Sequence, residues 1–193
     1  MSGRRRSVGM TLVELVAGLG LAVAVGVVGV AAIAAAVRLL VDLALRVEVD
    51  DIASQALDAF TFDVRRAGFD PRASAVETVV DATPARLELH ADLDGDGAID
   101  AASEEVTVWA CDLVGGRLSR ILGSQSLPLA NDVVACAFGY VDASGTVLPA
   151  PAAGLDAATR RRIRSVTLDL ALRPPRLGAA ATVHGGAALW TSP

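Results

Sequence analysis

Hydrophobic positions divide this chain into three regimes. From Met10 to Val37 the residues are almost uninterruptedly apolar, and Leu15 to Val37 supplies 23 residues without a charge or strong polar group. A helix of that length crosses a hydrocarbon core about 30 Å thick. Beyond Arg38 the pattern turns amphipathic, with Ala53, Leu57, Phe60 and Val64 spaced 4, 3 and 4 apart. That spacing predicts one helix continuing to Ala67, with Asp42, Arg46, Asp50, Asp58 and Asp63 facing water. Gly68 followed by Asp70-Pro71 supplies the stop.

After Pro71 the period becomes two. Val166, Leu168, Leu170 and Leu172 alternate with Thr167, Asp169 and Arg173, the signature of a half-buried strand. Shorter runs at 86–89, 105–110, 117–122 and 133–141 read the same way, separated by Gly, Asp, Asn and Pro. Residues 142–162 read as a turn at Asp142 to Gly145 running into an irregular loop. A helix followed by strands predicts an α+β fold: a long N-terminal helix, half transmembrane and half amphipathic, packed on an antiparallel β-sheet domain. The expected segments are 1–9 as leader, 10–37 as membrane helix, 38–69 as its amphipathic continuation and 70–193 as a β-rich domain.

Composition sharpens this picture. The apolar fraction of 53% is concentrated at one end of the chain. Residues 1–9 hold Arg4, Arg5 and Arg6 and no acid, a distribution that keeps the N-terminus cytoplasmic. Their removal takes the formal charge from −5 to −8, which disfavours a nucleic-acid partner. A cleaved secretory signal ending near Ala34-Ala35-Ala36 is the competing reading. The apolar run is too long for it, and Glu14 has no place inside such a region.

The block Arg4-Arg5-Arg6-Ser7-Val8-Gly9, followed by Met10-Thr11-Leu12-Val13-Glu14-Leu15-Val16, closely resembles the type IV prepilin motif. The resemblance implies cleavage after Gly9 by a prepilin peptidase and methylation of the new N-terminus at Met10, where the family more often has Phe. It also implies that Glu14 pairs with the α-amine of a neighbouring subunit during assembly. An acid within an apolar helix costs on the order of 3 kcal/mol at the bilayer centre, so a partner there has a physical rationale. Asp63-Val64-Arg65-Arg66-Ala67-Gly68-Phe69, Leu118-Ser119-Arg120, Leu129 to Val133 and Phe138-Gly139-Tyr140-Val141-Asp142 are similar to the PilW-type minor pilins and J-type pseudopilins.

The resemblance implies a structural subunit rather than an enzyme, with no required cofactor. Its setting would be the bacterial inner membrane, single-pass with the C-terminal domain extracytoplasmic, and then a type IV pilus or type II secretion pseudopilus. Its partners would be the peptidase, other pilins or pseudopilins, the membrane and the assembly platform. The alternative is a signal-anchored extracytoplasmic enzyme or calcium-dependent binding domain. Against it, no catalytic motif is found, and His90 and His184 stand apart from any cysteine.

Two further features have competing readings. Asp92, Asp94, Asp96 and Asp100 occupy positions 1, 3, 5 and 9 of a calcium-type loop, with the Ala98 carbonyl at 7 and glycine at 6. Position 12 is Ser103, and Glu104 and Glu105 fall one and two places late. The loop is therefore a candidate structural calcium site, or an Asp/Gly-rich hairpin held by side-chain to backbone bonds. Cys111 and Cys136 are a candidate disulfide if the domain is exported, or two buried thiols. The run Arg160, Arg161, Arg162 and Arg164 reads as a solvated loop in preference to a docking site for an acidic subunit.

Overall fold

The computed structural model describes residues 11–173 and 180–189. The expected processing residues Gly9 and Met10 lie outside them. A helix, α1, runs from Leu12 to Arg66. The chain divides into an N-terminal unit ending at Ala44 and a second unit from Leu45 onward, with the boundary inside α1.

In the first unit every described side chain of α1 is exposed, with large apolar residues from Leu12 to Leu43 at 48–78% exposure. This helix is long and apolar enough to cross a membrane. Gly18, Gly20, Gly26 and Gly29 have open space where a Cβ would stand.

In the second unit α1 acquires a buried face. Burial begins at Val49 and recurs at Ala53, Ala56, Phe60, Asp63 and Val64. This is the helical period read from the sequence, with one correction. Asp63, which the hydrophobic pattern places on the water-facing side, is 2% exposed. Gly68 ends the helix with φ of +80°, a conformation that glycine adopts without steric cost, and its N–H donates to the His90 carbonyl at 2.8 Å.

Two antiparallel sheets come next. The first has the order β1-β2-β3-β4-β5: Val79–Ala82, Arg86–His90, Val106–Asp112, Arg117–Leu122 and Gln125–Asn131. The second has β6 (Val133–Asp142), β7 (Ile163–Leu172) and β8 (Ala181–Ala188). A four-residue helix, α2 (Ala157–Arg160), lies in the β6–β7 connection and is capped by Asp156. The α+β architecture is therefore the one the hydrophobic pattern predicts.

In β7, Val166, Leu168, Leu170 and Leu172 are buried and Asp169 is exposed, as the alternation requires. Opposite Leu168 stands Gly185 of β8, where an added Cβ would lie 3.0 Å from a methyl of Leu57. Glycine there permits the close approach of α1 to the second sheet. Phe60 occupies the centre of the core. Its ring meets Trp109 of β3 edge-on at 5.3 Å and stacks on Phe138 of β6 at 6.0 Å, so a single helical side chain touches both sheets.

Candidate functional site

At the start of α1, Thr11 and Glu14 form a capping box. The Thr11 N–H and Oγ1–H donate to Glu14 Oε2 at 2.9 and 3.0 Å, and the Glu14 N–H donates to Thr11 Oγ1 at 3.3 Å. Glu14 is the single charged residue between Thr11 and Val37. Its carboxylate is therefore held at the helix N-terminus, where the helix dipole favours negative charge.

Where α1 ends, the Asp63 to Phe69 and Leu118 to Arg120 motifs meet. Asp63 accepts a two-pronged pair of bonds from Arg120 of β4, from Nε at 2.6 Å and from Nη2 at 2.5 Å. Trp109 Nε1 donates to the same carboxylate at 2.9 Å, and Arg66 Nη2 lies 3.7 Å away. A carboxylate with no exposed side-chain surface is thereby fully partnered. Arg66 also lies over the exposed Phe62 ring at 5.4 Å. Periodicity alone misses this centre, because one acid among several on a helix reads as solvated. The only sequence clue is the arginine ending Leu118-Ser119-Arg120.

The acidic loop is arranged by its own backbone. Asp92 is buried and accepts from Gly95 and Gly97 N–H, Asp94 from Asp96 N–H, and Asp96 from Ala98 N–H. Side-chain oxygens of Asp92, Asp94 and Asp96 lie within 4.8 Å of one another. Asp100 stands outside this trio and accepts from Ala102 N–H. Three hard oxygens thus converge, in a loop whose hydrogen bonds already close it.

Glu105, two places beyond the usual closing position, fastens the loop from inside. Its Oε1 accepts from Leu93 and Asp94 N–H, and its Oε2 from Asp100 N–H. These bonds favour the ionised form, led by the one from Asp100, and hold Glu105 below its usual value of 4.5. A group with a lowered folded value stabilises the fold above about 4.5, and that stability is lost as pH falls through the folded value. Glu105→Gln is expected to cost about 1–3 kcal/mol at pH 7. In urea titrations the gap to wild type should then close as pH falls below 4.5. A gap that stays constant with pH would show that the charge contributes nothing.

Cys111 of β3 and Cys136 of β6 form a disulfide with Cα atoms 5.8 Å apart, joining the two sheets. Arg161, Arg162 and Arg164 of the arginine run are exposed, as a solvated segment requires, while Arg160 is half-buried. Arg160 donates to the Val79 and Leu155 carbonyls and to Glu77, and Arg162 to Asp142. The Asp142 carboxyl is held low by the Ser144 hydroxyl and then by Arg162. Arg164 donates to the carbonyls of Arg161 and Ile163. His184 pairs with Asp169, and His90 with Glu88.

These features define an α+β protein with an N-terminal helix fit to cross a membrane and a disulfide-linked two-sheet domain. No protein-family model matches the chain, and no curated protein matches it.

Proposed function

We propose that this chain is a type IV pilin-like subunit, a minor pilin or pseudopilin. A prepilin peptidase cuts it after Gly9, the inner membrane holds it in a single pass with its domain extracytoplasmic, and it assembles through α1 into a pilus or a type II secretion pseudopilus. The observation that carries the reading is the first half of α1. It presents exposed apolar side chains over its whole described length and one carboxylate, Glu14, at its very start. Such a surface needs lipid or other helices around it.

Lipid tails are as apolar as the side chains, so helices leave lipid for one another through close packing. The open glycine positions at 18, 20, 26 and 29 favour that approach. Glu14 then supplies the one polar group whose transfer from membrane to filament needs a cationic partner, the α-amine of Met10 in a neighbour. The domain contributes the outward surface and has a structural role. Calcium, if held by the Asp92 loop, would be part of that structure.

Intact mass and N-terminal peptide analysis of the protein from its own membranes tests the reading. The expected product begins at methylated Met10, and Gly9→Ala abolishes it, leaving the full-length precursor. A product that retains Met1 irrespective of Gly9, or that begins near Val37, overturns the assignment.

A further inference from the structure

A cavity of about 560 Å³ opens on the second unit, between the segment following α1 and the start of β7. Val79, Ile163 and Leu189, all buried, give it an apolar floor, and Arg160, Arg161 and Arg164 stand around it. The charges in this wall do not cancel. Asp70 lines the cavity too, but its carboxylate turns back on its own loop, accepting from Ser74 N–H, Ser74 Oγ–H and Val76 N–H. Glu77 is committed to Arg160 at 2.9 Å.

Arg161 and Arg164 therefore have no carboxylate within 4.0 Å among the described residues, although the chain as a whole is acidic. Arg164 is positioned by the Arg161 and Ile163 carbonyls, which engage Nη1 without neutralising its charge. Ala73 and Ala75, which also line the cavity, have φ of +52° and +64°, a region that alanine rarely adopts. Backbone held in that way concentrates at ligand sites.

We infer that this cavity binds a carboxylate carried on a short apolar group, such as the C-terminal residue of a peptide. The arginines hold the carboxylate through charge-assisted bonds, and the apolar body covers Val79, Ile163 and Leu189. The inference stands independently of the pilin reading, since it uses only the second unit.

Calorimetric titration of the full chain in detergent tests it, with N-acetyl-leucine, N-acetyl-leucine amide and acetyl-Ala-Ala-Ala-Leu as probes. The free acid is expected to bind at least about tenfold more tightly than the amide, the worth of one charge-assisted bond. Arg161→Gln should weaken the acid about tenfold while leaving thermal melting unchanged, and Arg164→Gln, which also loses its bonds to two carbonyls, should weaken it at least as much. Tighter binding of the peptide than of N-acetyl-leucine would identify a chain terminus as the ligand, and equal binding would identify a free small carboxylate. Equal affinity for acid and amide on the wild-type chain, which needs no variant, would overturn the inference. So would the absence of heat with either acid, or arginine variants that bind as wild type does.

Discussion

Arg120→Met is expected to destabilise the second unit by about 3–5 kcal/mol, the cost of breaking a buried ion pair from one side. The direction is set by which partner is left behind. The Asp63 side chain has no exposed surface, whereas Arg120 retains 17%. Without Arg120 the carboxylate keeps only the Trp109 N–H and a more distant Arg66. Asp63→Ala should cost less, because the arginine left behind can extend its head toward solvent. Replacing both at once, as Asp63→Leu with Arg120→Met, should recover much of the loss. The orphaned Trp109 N–H would still cost about 1–3 kcal/mol. Urea unfolding of the full chain in detergent, followed by tryptophan fluorescence, measures all three variants. A value for Arg120→Met below about 1 kcal/mol, the range of an exposed pair, would show that the pair is solvated.

The same centre shows what a hydrophobic pattern can and cannot reveal. The helix and the apolar strands are legible because their periods are generated by burial. Val49 through Val64 recur at helical spacing, and Val166 through Leu172 alternate. Asp63 is not legible in that way. It sits at a buried helical position, and period analysis hands every acid to solvent unless its partner is known, 57 residues away in Arg120. Three strands escape the pattern: β1 because four residues are too few to show a period, β5 because it is an exposed edge interrupted by Pro128, and β8 because His184-Gly185-Gly186 carries little side chain to pattern. The glycines there answer to Leu57 and Thr167, contacts that only the folded chain displays.

In the candidate site, spacing names four aspartates, of which Asp92, Asp94 and Asp96 converge and Asp100 does not, while it shows Glu105 only as arriving late. The role of Glu105 as the inner clasp depends on β3 starting at Val106, which delivers its carboxylate beneath Leu93, Asp94 and Asp100. The sequence leaves the cysteines open between bridge and buried thiols because no sequence rule fixes the distance between two strands in different sheets.

Removing that bridge as Cys111→Ala with Cys136→Ala is expected to cost about 3 kcal/mol, most of it by releasing the unfolded chain from a closed loop. The two cysteines are 25 residues apart in sequence, and the loop between them contains all of β4 and β5. Hydrogen bonds also join the sheets: Phe138 N–H donates to the Pro84 carbonyl, Val133 N–H to Gly116, and the Tyr140 hydroxyl to Thr83 and Arg86. The bridge also neighbours the ion-pair centre. Trp109 and Cys111 lie two apart on β3, the first turned to Asp63 and Phe60, the second to β6. Strand β3 is therefore fixed to the helix and to the second sheet at adjacent positions. Combining the cysteine replacements with Arg120→Met should depart from additivity by about 0.5–3 kcal/mol, as for groups that share a partner. Thermal melting under oxidising and reducing conditions checks the first effect, and the double-mutant cycle checks the second. If the cysteine-free chain melts with the wild type, the shared core and these hydrogen bonds hold the sheets together without the bridge.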